Sequence, residues 1–300
     1  MFGTPRGLLI LTYHRVLTGE DPLRHGEMTA QAFDRHCGVL RRWFNVLPLV
    51  EGWRRAREGA LPPRAVSITF DDGYADNAEL ALPTLKRHGL TATFFVATGY
   101  LNGGRMWNDT IIETLREAPV PLDLRDLGGA FLAAADAHAR ARAVNDTIRA
   151  WKHLPPGERQ RRVDELVRRA KLSPPDDLMM TNAQVKELAS AGMDIGAHTV
   201  THPILRKIDD AEAAHEMSRS RAALEELTGA PVRTFAYPNG RLGDDYDERH
   251  AAIARDAGFE LAVSTNHGTA RADSDGFQLP RFGPWPESDW RFALRLLREL

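Results

Sequence analysis

Cysteine is nearly absent: Cys37 stands alone in 300 residues. One thiol excludes an intramolecular disulfide and any multi-cysteine zinc site, so a bound metal would rest on histidines and carboxylates, and eleven histidines are available. Long apolar runs are also absent. The run at residues 8–11 is too short for a signal-peptide core, and no stretch approaches a bilayer span. The default expectation is therefore a cytoplasmic protein. An excess of either charge is missing too: 39 Lys and Arg face 41 Asp and Glu, a net charge of −2, which offers nucleic acid no general attraction. With 43% hydrophobic and 27% charged residues, the chain is neither disordered, collagen-like nor a coiled coil. Its length suits two domains or one α/β barrel with an insertion.

What the chain does have is alternation. Short β-rich runs at residues 8–13, 65–70, 91–97, 193–197, 233–237 and 260–264 are separated by amphipathic segments at 29–44, 76–88, 108–117, 182–191, 209–228 and 245–257. Several runs, such as LLIL and TATFFVA, lack polar alternation, as strands buried on both faces do. Thr181 has the position of an N-cap, and Gly89, Gly192, Gly229 and Gly258 follow helical runs as stop signals. Regular alternation of this kind predicts an α/β fold, most simply a barrel. Residues 119–178 break the rhythm. They predict two or three Ala/Arg-rich helices and no good strand, bounded by prolines. Residues 140–171 hold ten Lys and Arg against four Asp and Glu. This stretch reads as a solvated helical insertion, or as a basic lid over an anionic or membrane-proximal substrate. Trp43 and Trp53 read as packing residues.

Polar clusters fall at the predicted strand ends. VSITF runs into Asp71-Asp72-Gly73, MDIGA into His198 and His202, RTFAY into Pro238-Asn239-Gly240, and LLILTY into His14. In a parallel barrel these ends share one rim, where active sites lie. Adjacent carboxylates at a strand end point in different directions, so one can bind a metal while the other faces substrate. They can equally cap the following helix. Histidines at i, i+4 on a helical turn share one side, as two metal ligands must, though surface pairs at that spacing are common. Two histidines with one carboxylate leave coordination positions open, the ligand count of a catalytic site.

Together ITFDDGYADN, GAHTVTHPIL and FAYPNGR resemble the first three motifs of the polysaccharide deacetylases, the NodB-homology carbohydrate esterases of family 4. The resemblance implies one domain over residues 1–300 with a distorted (β/α) barrel, interrupted by the 119–178 insertion. It implies hydrolysis of N- or O-acetyl groups on sugars with one divalent metal, usually zinc. By position it makes Asp71 the catalytic base, Asp72, His198 and His202 the metal ligands, and the Asn239 amide an oxyanion donor. Two departures stand out. Ala236 occupies the place of an arginine that orients the base, and Arg281 could supply that guanidinium from another strand. A late Leu-x-His acid motif is missing, and His267 in STNHG lacks the Leu. LTYH, ending on His14, resembles instead the circularly permuted branch that acts on poly-N-acetylglucosamine. There His14 would be the acid, opening onto the metal pocket on the face opposite Asp71. Tyr74, Trp107 and Trp285 are candidate sugar-stacking rings. The leading expectation is a metal-dependent N-deacetylase for a poly- or oligosaccharide, in exopolysaccharide synthesis or on a lipid-linked precursor. A small-molecule amidase or deformylase of the same fold, and a non-catalytic sugar-binding relative, are the alternatives.

Overall fold

Residues 8–11 are uninterrupted Leu and Ile because alternate side chains enter two different cores. Leu9, Leu11 and Tyr13 pack outward with Phe33, Cys37 and Leu40 of a covering helix, while Leu8 and Ile10 pack inward with Phe95, Ala236, Leu261, Val263 and Leu279. The inner group fills a barrel. In the computed structural model, which describes residues 7–285 and 288–300, seven parallel strands pair in chain order: β1 (Leu8–Tyr13), β2 (Ala65–Phe70), β3 (Thr93–Val96), β4 (Asp194–Ala197), β5 (Thr234–Ala236), β6 (Leu261–His267) and β7 (Leu279–Arg281). The ring closes where the Thr12 N–H donates to the Phe282 carbonyl (3.0 Å) and the Phe282 N–H to that of Ile10 (2.8 Å).

The barrel is distorted at two places. A short strand, Asn45–Val46, pairs with the start of β2 while β3 pairs only with its end. Between β4 and β5 the ladder is a single residue pair, Phe235 with Ala197. Close packing of β4 requires a glycine: a Cβ on Gly196 would stand 2.4 Å from the Phe95 ring. The predicted strands are all present with ends shifted by a few residues. β7 is additional, because three residues around Pro280 carry too little apolar pattern to read.

Helices α1 (Ala30–Trp43), α2 (Leu49–Arg57), α3 (Leu82–His88), α4 (Trp107–Glu117), α5 (Ala137–Trp151), α6 (Pro156–Ala170), α7 (Asn182–Ser190), α8 (Asp210–Thr228), α9 (Glu248–Asp256) and α10 (Asp289–Glu299) complete the chain. Thr181 caps α7 through a reciprocal pair with Gln184. α9 starts later than expected because Asp247, not Asp245, accepts from the first turn. Trp53 is buried, but Trp43 is exposed with the Arg42 guanidinium over its ring, which corrects its assignment to packing.

The insertion contains α5, α6 and, against expectation, a small antiparallel pair, Leu122–Asp123 with Phe131–Leu132. Two-residue strands carry no periodicity. With α4 it forms a second core around Ile111, Leu115, Val144, Trp151, Val163 and Leu166. Its basic surplus is partly spent internally: Arg162 pairs with Glu158, Arg168 with Glu165, and Arg169 with Glu165 and Asp126.

Candidate active site

Alternation along β1 and β2 decides what stands at the top of the barrel. Leu8, Ile10 and Ala65 face inward, and the same parity carries His14 and Asp71 to the inner rim. The register from Leu8↔Ala65 to Tyr13↔Phe70, continued by the Asp71 N–H to the Tyr13 carbonyl (2.9 Å), makes His14 and Asp71 neighbours. His14 Nε2 lies 4.0 Å from Asp71 Oδ2. His14 thus stands beside Asp71, not on the opposite face, because a parallel ladder in register leaves it no other place.

Arg281, at the end of β7, is fully buried and grips Asp71 with both arms: Nη1 to Oδ1 at 2.7 Å and Nη2 to Oδ2 at 2.6 Å. Its Nε donates to the Ser264 carbonyl (2.7 Å) and Nη1 also to Thr69 Oγ1 (3.1 Å). Bidentate pairing fixes the carboxylate's plane as well as its position. The side chain of Ala236, on the same interior core, is only a methyl group and cannot pair with Asp71. Burial pushes the Asp71 carboxyl up, but Arg281 outweighs it and holds the group below the usual range, ionised at neutral pH.

Asp72, His198 and His202 converge beside it. Asp72 Oδ1 lies 3.3 Å from His198 Nε2 and 3.4 Å from His202 Nε2, and the two imidazole nitrogens are 3.1 Å apart. A tetrahedral ion with bonds of ~2.0–2.1 Å has its ligands about 3.3 Å apart, so this triangle fits one face of such a site. The tautomer fits as well. His198 Nδ1 lies 2.7 Å from the Ala236 carbonyl, which can only accept, so Nδ1 carries the proton and Nε2 keeps its lone pair for a metal. Burial lowers His202 to about 4, which leaves it neutral at physiological pH. The histidines are not on a helical turn, contrary to the i, i+4 reading. They lie on a loop in which Thr199 (φ 65°) and His202 (φ 52°) are left-handed.

That loop is strained and tethered. Of seven described non-glycine residues with positive φ, four are Asp72, Thr199, His202 and Asn239, all at this rim. Left-handed backbone is costly for a β-branched residue such as Thr199. What holds it is Glu216 of α8, a buried carboxylate that accepts from the Val200 N–H (2.6 Å), the Thr201 N–H (2.8 Å) and the Thr201 hydroxyl (2.7 Å). Glu216 belongs to no short motif, so sequence reasoning does not find it. Only the packing of α8 against the loop brings it there.

A model of the family described as polysaccharide deacetylase matches residues 58–125 and 132–262. The chain belongs to the polysaccharide deacetylase family. YxkH of Bacillus subtilis (strain 168), named for the same family, is 23% identical over 279 residues, covering 92% of this chain and 71% of its own length. Among solved structures, the Streptococcus pyogenes deacetylase PplD in complex with acetate superposes with a TM-score of 0.66 at 22% identity over 99% of both chains. IcaB from Ammonifex degensii does so with 0.61 at 22% identity over 97% of both. A de-N-acetylase from Aggregatibacter actinomycetemcomitans gives 0.61 at 16% identity, covering 97% of this chain and all of its own. At these identities the likeness is one of fold.

The family site here opens into a cavity of about 370 Å³. His14, Asp71, Asp72, His198, His202 and Asn239 line it together with Trp107 of α4 and Val144 and Ile148 of α5. The insertion therefore walls the pocket through α5. Asn239 (φ 59°) is anchored by its carbonyl, which accepts from Thr265 Oγ1 at 2.6 Å. Burial lowers His14, but the Asp72, Asp71 and Glu27 carboxylates overcome this and raise it above the ordinary imidazole value. His267 is elsewhere: it pairs with Glu299 at 3.0 Å and does not line this pocket.

The aromatic expectations divide. Trp107 lines the pocket with the Arg159 guanidinium 4.6 Å from its ring centre. Tyr74 borders it but is buried, its hydroxyl donating to Asp109 (3.0 Å) and one face under Arg15, so its ring is committed to packing. Trp285 is exposed and not among the pocket's lining residues.

Proposed function

We propose that this chain removes N-acetyl groups from amino sugars of a poly- or oligosaccharide, with a divalent metal, zinc by donor set, held by Asp72, His198 and His202. The observation that carries the reading is the Arg281–Asp71 pair set against the Asp72–His198–His202 triangle. A carboxylate locked in the ionised form stands within reach of a three-ligand site. Such a metal supplies Lewis acidity toward a carbonyl and lowers the pKa of water.

The chain's own residues supply the rest. Asp71 accepts the proton of the attacking water, and its bidentate hold by Arg281 keeps it from rotating away. We assign the Asn239 N–H, on a left-handed turn fixed by Thr265, to the developing oxyanion. His14, beside Asp71 on the pocket wall, delivers a proton to the departing nitrogen. Trp107 offers an apolar face to the sugar ring, and the α5 wall favours a chain end or short segment over the middle of a long polymer. We take a short precursor of an exopolysaccharide as the substrate.

The test is acetate release from a panel of N-acetylated saccharides with and without chelator. Chelator-sensitive release from at least one amino-sugar substrate is expected. Release from simple amides but from no saccharide would favour the small-molecule amidase, and no release at all would overturn the enzymatic reading.

A further inference from the structure

The helix α10 has more apolar surface than its fold uses. Phe292 and Leu296 are buried and face α1. Trp290, Leu294 and Leu297, at i, i+4 and i+7, share another face and are 64%, 40% and 49% exposed. Trp285, just before the helix, is 59% exposed. Beside this apolar stripe runs a basic one, Arg291, Arg295 and Arg298. Residues 290–298 contain no acidic residue. Two of the flanking acids are paired, Asp289 with Arg35 at 3.4 Å and Glu299 with His267 at 3.0 Å. Arg291 lies over Trp290 and Arg295 over Trp285, at 5.3 and 5.8 Å from the ring centres, so the two stripes form one surface.

We propose that this face of α10, with Trp285, is a docking surface for an anionic lipid bilayer. An outward helix face divided between Trp/Leu and Arg, with no acid between residues 290 and 298, complements the headgroup boundary of a negatively charged leaflet. The indoles and leucines enter the interface and the guanidinia meet phosphates. The leucines decide between lipid and sugar: tryptophan stacks on pyranoses, but exposed aliphatic side chains gain nothing from a polysaccharide. Docking through this face would place α10 in the plane of the interface; among the described residues no helix is long and apolar enough to cross a membrane. The basic insertion is the weaker candidate for this role, since Glu158, Asp164 and Glu165 lie among its arginines and it presents no matching stripe of exposed Trp and Leu.

Co-sedimentation of the full chain with vesicles tests this. Vesicles of phosphatidylcholine containing phosphatidylglycerol should bind the protein and pure phosphatidylcholine should bind it far more weakly, with the difference shrinking as salt rises. The double variant Arg291→Gln/Arg298→Gln should weaken binding roughly 25-fold, about fivefold for each arginine at an anionic surface. Leu294→Gln/Leu297→Gln should weaken it as well. Both variants should keep the thermal midpoint, because Phe292 and Leu296 are untouched. Should either fail to fold, quenching of wild-type tryptophan fluorescence by bromine-labelled lipid gives the same answer without a variant. Several results would overturn the proposal: no binding to anionic vesicles, equal binding by the arginine variant, or retention by an acidic polysaccharide instead of vesicles. So would a concentration-dependent dimer that the leucine variant abolishes.

Discussion

The two halves of the site are built by different means. On one side His14, Asp71 and Arg281 stand at the ends of β1, β2 and β7, which are adjacent in the barrel and joined by ladder hydrogen bonds. On the other, His198 and His202 stand on a strained loop beyond β4, beside the single-pair seam with β5. The first half is held by backbone pairing, and its geometry follows from register. The second is held by side chains, with Glu216 and the Ala236 carbonyl supplying what the ladder does not. The half that holds Asp71 is thus rigid by construction, while the half that holds the two histidines depends on a few added contacts.

The largest contrast should come from removing one residue in each half. Asp71→Asn keeps the shape but cannot accept a proton. Metal content should stay at wild-type level while acetate release falls by about 10²–10⁴-fold. His202→Ala should lose metal and activity in parallel, read by elemental analysis beside turnover. If Asp71→Asn lost metal as well, the two halves would not be separable.

His14→Ala comes next, with a loss of about 10²-fold on an amide and much less on an activated ester whose leaving group needs no proton. Its pH profile carries the sign. An imidazole acid is protonated below its pKa, so wild-type amide cleavage should decline as pH rises through the pKa of His14. That alkaline limb should vanish in the variant. On the acid side protons compete with metal for the histidine ligands, so metal content should drop as pH falls in both proteins. An unchanged alkaline limb would remove His14 from the acid role.

Glu216→Ala sharpens the comparison because it lies behind the histidine loop without lining the pocket. Metal affinity should fall about 10–100-fold, the usual cost of losing a support behind the ligands, and excess metal should restore most of kcat. A drop in kcat that metal does not rescue would count against a purely positioning role. The smallest effect should be that of Arg281→Lys, which keeps the buried charge and loses the two-pronged grip. A roughly tenfold fall in kcat with unchanged metal content is expected from single-turnover acetate release. Arg281→Met, in contrast, should cost ~3–5 kcal/mol of stability, because Asp71 would be left buried without its partner.

Much of this was legible in the amino-acid order. Parallel strands buried on both faces announce themselves by runs such as LLIL, and a strand's end by the turn from apolar to Asp-Asp-Gly or His. That put Asp71, Asp72, His198, His202, Asn239 and His14 on one rim, and the resemblance of their motifs to a known family matched what the family comparison found. Three things were not legible. β7 is short and proline-bearing, so nothing local marks it as a strand. The i, i+4 spacing of the histidines suggested a helix, because periodicity cannot tell a helical turn from a tethered left-handed loop. Glu216 lies on a helix whose sequence gives no sign of what it faces.

The order of residues by itself determined the elements, the polar clusters at their ends and the donor types on offer, since these depend on local pattern and side-chain chemistry. Barrel closure decided the rest. It brought Arg281 to Asp71 across 210 residues, set His14 beside Asp71, sent His267 to Glu299 and left Trp285 outside the pocket. Closure is a long-range event in which strand register and the filling of one interior core choose which distant side chains meet.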